Sequence, residues 1–316
     1  MDANLRSTAA AAASRPARSR RWRWLIVFLV GFALWVAAIV VTAITRNSNL
    51  IPTDVLLGSF LVPVTAVVWN FDRDVDTVLT TQRIFGTFVV GGVLGVLAAS
   101  LLESPLNQNN PFVYIAVGFI EEAVKFGALL GAAAGLSRYS TRDGVVLGAT
   151  TGFGFAALES SGYAFNALFT VHGLSLGSLV ATEALRGLLA PLGHGLWTAI
   201  IGGALFHASS RGNRLRISGG VIGIYVLVSI LHALWDSMRG IALILTALLT
   251  LASGHSLTMQ QGAPAATDAQ IVLFNVLNFG GIVVISVVGF LSLLIISRRW
   301  GTTSSDRPSP PTPSPA

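Results

Sequence analysis

Seven ionisable residues lie inside long apolar runs of this chain: Glu121, Glu122, Lys125, Glu159, His194, His232 and Asp236. Each one placed near a bilayer centre costs about 2.5–3.5 kcal/mol on an insertion scale. Seven of them demand pairing, a metal or water, and so imply a site. Glu121 and Lys125 are four apart and Glu122 and Lys125 three apart, so on a helix the lysine can hold either carboxylate ionised while the other meets a metal or water. His232 and Asp236 are also four apart. Two imidazoles and a carboxylate from separate helices match a catalytic zinc site with a position open for water. Glu159, His194 and His232 are the expected ligands, with Asp236 and Lys125 behind them and Glu122 or Glu121 as the base. A metal-free arrangement, in which glutamate and histidine activate water directly, is equally compatible with these residues.

The elements that must carry these groups are membrane helices. Of 316 residues 53% are hydrophobic and only 11% charged, against about a quarter charged in an ordinary soluble domain. That excludes a soluble enzyme. The absence of cysteine excludes disulfide scaffolds, thiolate zinc sites and a cysteine nucleophile. The net charge of +6 does not point to nucleic acid, because six arginines (Arg6, Arg15, Arg18, Arg20, Arg21 and Arg23) precede the first apolar run and most others fall in short connections. Runs of spanning length lie near 24–44, 55–71, 84–102, 111–136, 144–171, 185–207, 217–237 and 270–297. A ninth, from Ile241 to Ser253, is short and reads as a re-entrant or interfacial piece. The expected fold is an all-α polytopic transmembrane bundle of about eight spanning helices, nine if the short run also crosses. Residues 1–23 read as a cytoplasmic, Arg-rich disordered arm, 24–300 as the membrane domain with its motif core at 111–237, and 301–316 as a Pro/Ser/Thr-rich tail.

Arginine counts place the N-terminus in the cytoplasm, since the connections near 72–83, 137–143 and 209–216 carry Arg73, Arg83, Arg138, Arg142, Arg211, Arg214 and Arg216. Arg298 and Arg299 then agree with eight spans rather than nine. At ~1.5 Å per residue the paired glutamates, Glu159, His194 and His232 all fall ~8–18 Å from the outer helix ends, in the outer half of the bilayer. Gly127, Gly131 and Gly135 form one small-residue ridge and Gly144, Gly148 and Gly152 another, which predicts a tight hairpin between their two helices.

The run Glu121-Glu122-Ala123-Val124-Lys125 resembles the EExxK motif of the PrsW family of intramembrane proteases. Phe155-Ala156-Ala157-Leu158-Glu159 resembles its FxxxE motif and His232-Ala233-Leu234-Trp235-Asp236 its HxxxD motif. The stretch Pro191 to Thr198, with His194 and Trp197, is similar to a family histidine helix. That family is distantly similar to the CAAX-processing and bacteriocin-immunity proteases, which share a paired-glutamate helix. The resemblance implies hydrolysis of a peptide bond of a membrane-anchored protein, an anti-sigma factor in the type case, by an enzyme of the bacterial plasma membrane. It covers neither the N-terminal arm, the first two helices nor the tail.

Other patterns carry less. There is no HExxH, so a zincin-type protease is unsupported. Gly173-Leu174-Ser175-Leu176-Gly177 matches GxSxG but lacks the strand–turn–helix context of a nucleophile elbow. Arg186 is read as snorkelling outward, Asp54 as interfacial, and Trp197 and Trp235 as packing residues. The competing functions are a proton-coupled transporter, which also places Glu, His and Asp in mid-membrane, and a non-catalytic scaffold on a degenerate protease fold. The partners expected are the bilayer and a membrane-anchored protein substrate. Oligomeric state leaves no mark in the sequence.

Overall fold

A computed structural model describes residues 22–73, 77–107, 110, 112–212, 214–252, 258–260 and 263–305. The Arg-rich arm and most of the Pro/Ser/Thr tail lie outside these residues. The chain is a helix bundle: α1 (Arg23–Thr45), α2 (Ile51–Asp72), α3 (Thr81–Val89) running through a π-helical segment (Val90–Leu94) into α4 (Gly95–Glu103), α5 (Val113–Ala133), α6 (Thr141–Leu168), α7 (Leu176–Leu189), α8 (His194–Ser209), α9 (Gly219–Ala252) and α10 (Asp268–Ser305). Two short antiparallel pairs, Phe169–Thr170 with Gly173–Leu174 and Thr258–Gln260 with Ala263–Ala265, close two of the connections.

Among the described residues six helical stretches are long and apolar enough to cross a membrane: Arg23–Thr45, Ser48–Asp72, Thr81–Glu103, Leu176–Ser209, Gly219–Leu251 and Asp268–Ile295. The protein is a multi-pass membrane protein. Helices α6 and α8 sit at the centre with most of their residues buried, α6 being rich in glycine and threonine, and α5 packs beside them bearing three charges. The run beginning at Ile241 does not form a separate element. It continues α9 without interruption, because Gly240 alone does not break the helix, and the resulting 34 residues span ~50 Å, longer than a ~30 Å hydrocarbon core.

Two expected boundaries move. The fifth apolar run ends as helix at Leu168, where Gly173 with φ 102° closes a hairpin that L-residues rarely form. Helix then resumes at Leu176, with the Ser175 hydroxyl capping Ser178 N–H, and not at 185. This helix breaks over Ala190–Leu192, a 3₁₀ turn around Pro191, and Gly193, and restarts at His194. Pro191 supplies no N–H to continue the ladder, and Gly193 takes the non-helical backbone (φ −108°, ψ −112°) at which the helix breaks.

The glycine ridges pack differently from the expectation. Gly144, Gly148 and Gly152 meet the α8 backbone, where an added Cβ would strike the carbonyl oxygens of Gly202, Thr198 and His194. Gly127, Gly131 and Gly135 have open space beside them. Gly127 and Gly131 line a cavity of about 730 Å³ between α5 and the α3–α4 stretch, floored by Arg83, whose guanidinium donates to the carbonyls of Ala132 and Ala134 at the end of α5. The tightest helix pair is therefore α6 with α8, not the α5–α6 hairpin.

Asp54, in the first turn of α2, has its side chain turned into the protein. It is fully buried, accepting the Thr42 hydroxyl at 2.7 Å, in a small cluster where α1, α2, α6 and α7 meet. Glu183 on α7 is buried nearby and accepts Trp35 Nε1–H at 2.8 Å, so α1 is tied to the body by polar contacts as well as by apolar packing.

Candidate active site

The seven ionisable residues meet at one place between α5, α6, α8 and α9. On α5 the Lys125 ammonium, wholly buried, donates to Glu122 Oε1 at 2.7 Å and Glu121 Oε2 at 3.2 Å, as the three- and four-residue spacings require. It also stands 2.8 Å from His194 Nδ1. His232 places Nδ1 2.9 Å from Glu122 Oε1, and Nε2 3.5 Å from Glu121 Oε2 and 3.3 Å from Asp236 Oδ2. His194 Nε2 lies 3.0 Å from Glu159 Oε2.

These contacts indicate the tautomer of His194 by hydrogen-bond logic. His194 accepts from the ammonium at Nδ1, so its proton sits on Nε2 and points at Glu159. His232 donates from Nδ1 to Glu122, and its Nε2 stands between the carboxylates of Glu121 and Asp236. Glu121 Oε2 then lies 4.0 Å from His194 Nδ1 and 3.5 Å from His232 Nε2. Glu121, His194 and His232 bring ligand atoms within 4.8 Å of one another.

Close backbone approach makes this convergence possible. Gly118, one turn before Glu122, lies against the backbone of Ser229 and Ala233, which brings α5 onto α9 beside His232. Gly152 lies against the His194 carbonyl, which brings α6 onto the start of α8. A side chain at either glycine would force those pairs apart. Aromatic rings fill the rest: Phe155 covers the Lys125 ammonium at 4.2 Å, and Trp197 packs 4.7 Å from the His232 ring and 5.7 Å from that of His194. Trp197 and Trp235 pack against each other, 5.4 Å apart.

A model of the PrsW family intramembrane metalloprotease matches residues 19–259, well over half of the chain. The chain belongs to that family. It is an intramembrane peptidase, and the match takes in α1 and α2 as well as the motif core. No curated protein and no solved structure matches it.

In this PrsW-family bundle the residues expected to form the site come together, with one difference in arrangement. Glu121 joins the two histidines in the converging set, while Glu159 touches only the outer nitrogen of His194 and is held by Arg186 at 2.5 Å. Arg186 does not snorkel outward: it turns inward onto α6, donating from Nε to Ser160 Oγ at 2.9 Å and lying over the Tyr163 ring at 4.1 Å. Its partner Glu159 lies 27 positions away on another helix, which hides the pair from a reading by periodicity. Glu103, at the end of α4, lies in the field of Glu121, Glu159, Asp236 and His232, with Oε1 buried and without a hydrogen-bond partner. Its place at the edge of an apolar run gave no signal that it faces the site.

The donor set fits a divalent cation. Two imidazoles and a carboxylate are the ligands of many catalytic zinc sites. The structure already places a cation among them, since the Lys125 ammonium occupies the space beside Glu121 and His194. Glu122 Oε2 is a buried acceptor with no partner, facing a centre where both its other oxygen's contacts are cationic or donating.

Proposed function

We propose that the chain is an intramembrane metalloprotease whose cation is held by Glu121, His194 and His232, and which hydrolyses a peptide bond of a membrane-anchored protein. The convergence of one ligand atom from each of these three residues within 4.8 Å carries the reading. A bound zinc would supply a Lewis acid and lower the pKa of a water toward neutrality.

The chain's own residues do the remaining work. Glu122 uses Oε1 to hold Lys125 and to orient His232, leaving Oε2 as the acceptor for the proton of the attacking water. The same carboxyl then donates that proton to the leaving amine, the role expected of a glutamate in a poorly solvated site. Lys125 balances the paired carboxylates, and Phe155 screens it from lipid. Asp236, partly exposed, faces His232 Nε2 from the open side. Glu159 accepts the His194 Nε2–H, the carboxylate–histidine arrangement that makes an imidazole a better ligand.

The reading extends to orientation and location. The arginine distribution supports a cytoplasmic N-terminus, which would put the site in the outer half of the membrane, and the family resemblance suggests a bacterial plasma membrane and an anti-sigma factor as the substrate class. The test needs no named substrate. Membranes from cells producing the wild type, Glu122→Gln or His194→Ala, at matched protein levels, are compared by labelling new protein N-termini. The reading predicts N-termini within or beside transmembrane segments that appear with the wild type and vanish in both variants. The same termini in all three, or none with the wild type, sinks it.

A further inference from the structure

We propose that Arg186 is a positioning residue of this site: it locks the Glu159 carboxylate, which in turn locks the His194 ring with Nδ1 turned toward Glu121. The proposal rests on reading Glu121, His194 and His232 as the cation-holding set.

His194 needs such a lock. It is the first residue of α8, and the turn before it is a helix break whose Gly193 offers no capping side chain. Inside a helix the preceding turn restricts a side chain. Here that turn is a 3₁₀ segment ending at Gly193, so the ring is oriented chiefly by what its nitrogens touch. Nδ1 meets Lys125 and Nε2 meets Glu159. A half-turn of the ring about its Cβ–Cγ bond would put carbon in place of both nitrogens and lose the contacts to Lys125 and Glu159, so a fixed Glu159 disfavours that state.

Glu159 is fixed by Arg186. The guanidinium reaches three positions on α6 at once: the Glu159 carboxylate at 2.5 Å, the Ser160 hydroxyl at 2.9 Å and the face of Tyr163 at 4.1 Å. A planar fork held at three points has one orientation, unlike a lysine, which presents a point charge. The same Glu159 oxygen takes both Arg186 and His194. Glu159 thus bridges the break in the α7–α8 stretch, with Arg186 before it and His194 after it. A guanidinium inside an apolar bundle is costly unless paired, and this pairing reaches the site in one further step. The positive charge beside Glu159 also leaves that carboxylate's outer oxygen committed, so it stays an outer partner of the histidine and does not become a ligand.

The experiment uses the purified, detergent-solubilised full chain as wild type, Arg186→Gln, Arg186→Lys, Glu159→Gln and the Arg186→Gln/Glu159→Gln double variant. Zinc affinity is measured by competition with a fluorescent chelator. Loss of an outer partner of a ligating histidine lowers metal affinity by about 10–100-fold. Arg186→Gln and Glu159→Gln are each expected in that range, the double variant no weaker than the weaker single, and Arg186→Lys intermediate. A merely structural arginine would instead give losses that multiply. A second readout needs no metal: the rate at which diethyl pyrocarbonate modifies each histidine, read by mass spectrometry. Arg186→Gln should speed modification of His194 several-fold and leave His232 unchanged. Unaltered His194 rates, or independent losses in the double variant, overturn the proposal. Absence of zinc from the wild type would overturn the metal reading, and the metal-free histidine rates would still decide the role of Arg186.

Discussion

Replacing Lys125 by Met removes the cation from between two carboxylates while keeping an unbranched side chain of similar length. The ammonium is fully buried, 2.7 Å from Glu122 Oε1 and 3.2 Å from Glu121 Oε2. At an effective dielectric of about 20 the closer contact alone is worth on the order of 6 kcal/mol of Coulomb energy. Most of that is offset by desolvation, and the measured cost of removing one partner of a buried pair is about 3–5 kcal/mol. In chelator, the variant should therefore unfold well below the wild type. Zinc should then act more strongly on the variant, because the ammonium that competed for His194 Nδ1 and Glu121 Oε2 is gone. At a hundred times its dissociation constant a ligand adds about 2.7 kcal/mol, the greater part of the deficit. The assay is thermal unfolding followed by tryptophan fluorescence, in chelator and across a zinc titration. A Lys125→Met protein that gains less from zinc than the wild type refutes the reasoning: the lysine would then assist the cation and not stand in its place.

The glycine contacts give opposite predictions for one chemical change. Gly148→Ala drives a Cβ into the Thr198 carbonyl and should cost about 1–3 kcal/mol or more, whereas Gly127→Ala meets open space and should gain up to about 1 kcal/mol of helix propensity; thermal unfolding separates them. Gly118→Ala should push α5 from α9 and so weaken zinc binding without touching a ligand, read by the same chelator competition. Because the chain has no cysteine, single cysteines report topology cleanly. His172→Cys, in the exposed hairpin, should react with a membrane-impermeant maleimide in intact cells, and Arg211→Cys only after the membrane is opened. The reverse pattern would invert the orientation.

Much of the fold was legible because apolar length and intramembrane charge are such strong constraints. The paired glutamates, Lys125, His232 and Asp236 announced themselves by occurring where charge is costly, and their three- and four-residue spacings gave the contacts on each helix directly. What tertiary packing decides was not legible. Gly127 and Gly144 look alike in sequence, yet one faces a cavity and the other a helix backbone, because the partner of a small-residue ridge is chosen by the whole bundle. The Pro191 and Gly193 break was visible as residues, but the apolar run continues across it and hydropathy does not register it. Arg186 looked like an interfacial anchor because its partner lies on another helix 27 positions away. The burial of Asp54 was hidden for the same reason: Thr42, which donates to its Oδ2, belongs to the preceding helix.

The central claim is that Glu121, His194 and His232 hold one metal ion. Bound metal should be counted by equilibrium dialysis in purified wild type, Glu121→Gln, His194→Ala, His232→Ala and Glu159→Gln, across a zinc titration that saturates the wild type. The account predicts about one zinc per chain at saturation of the wild type, no stoichiometric zinc in the first three variants, and a weakened but saturable site in Glu159→Gln. A folded wild type without metal, or full stoichiometry in the three ligand variants, would contradict it.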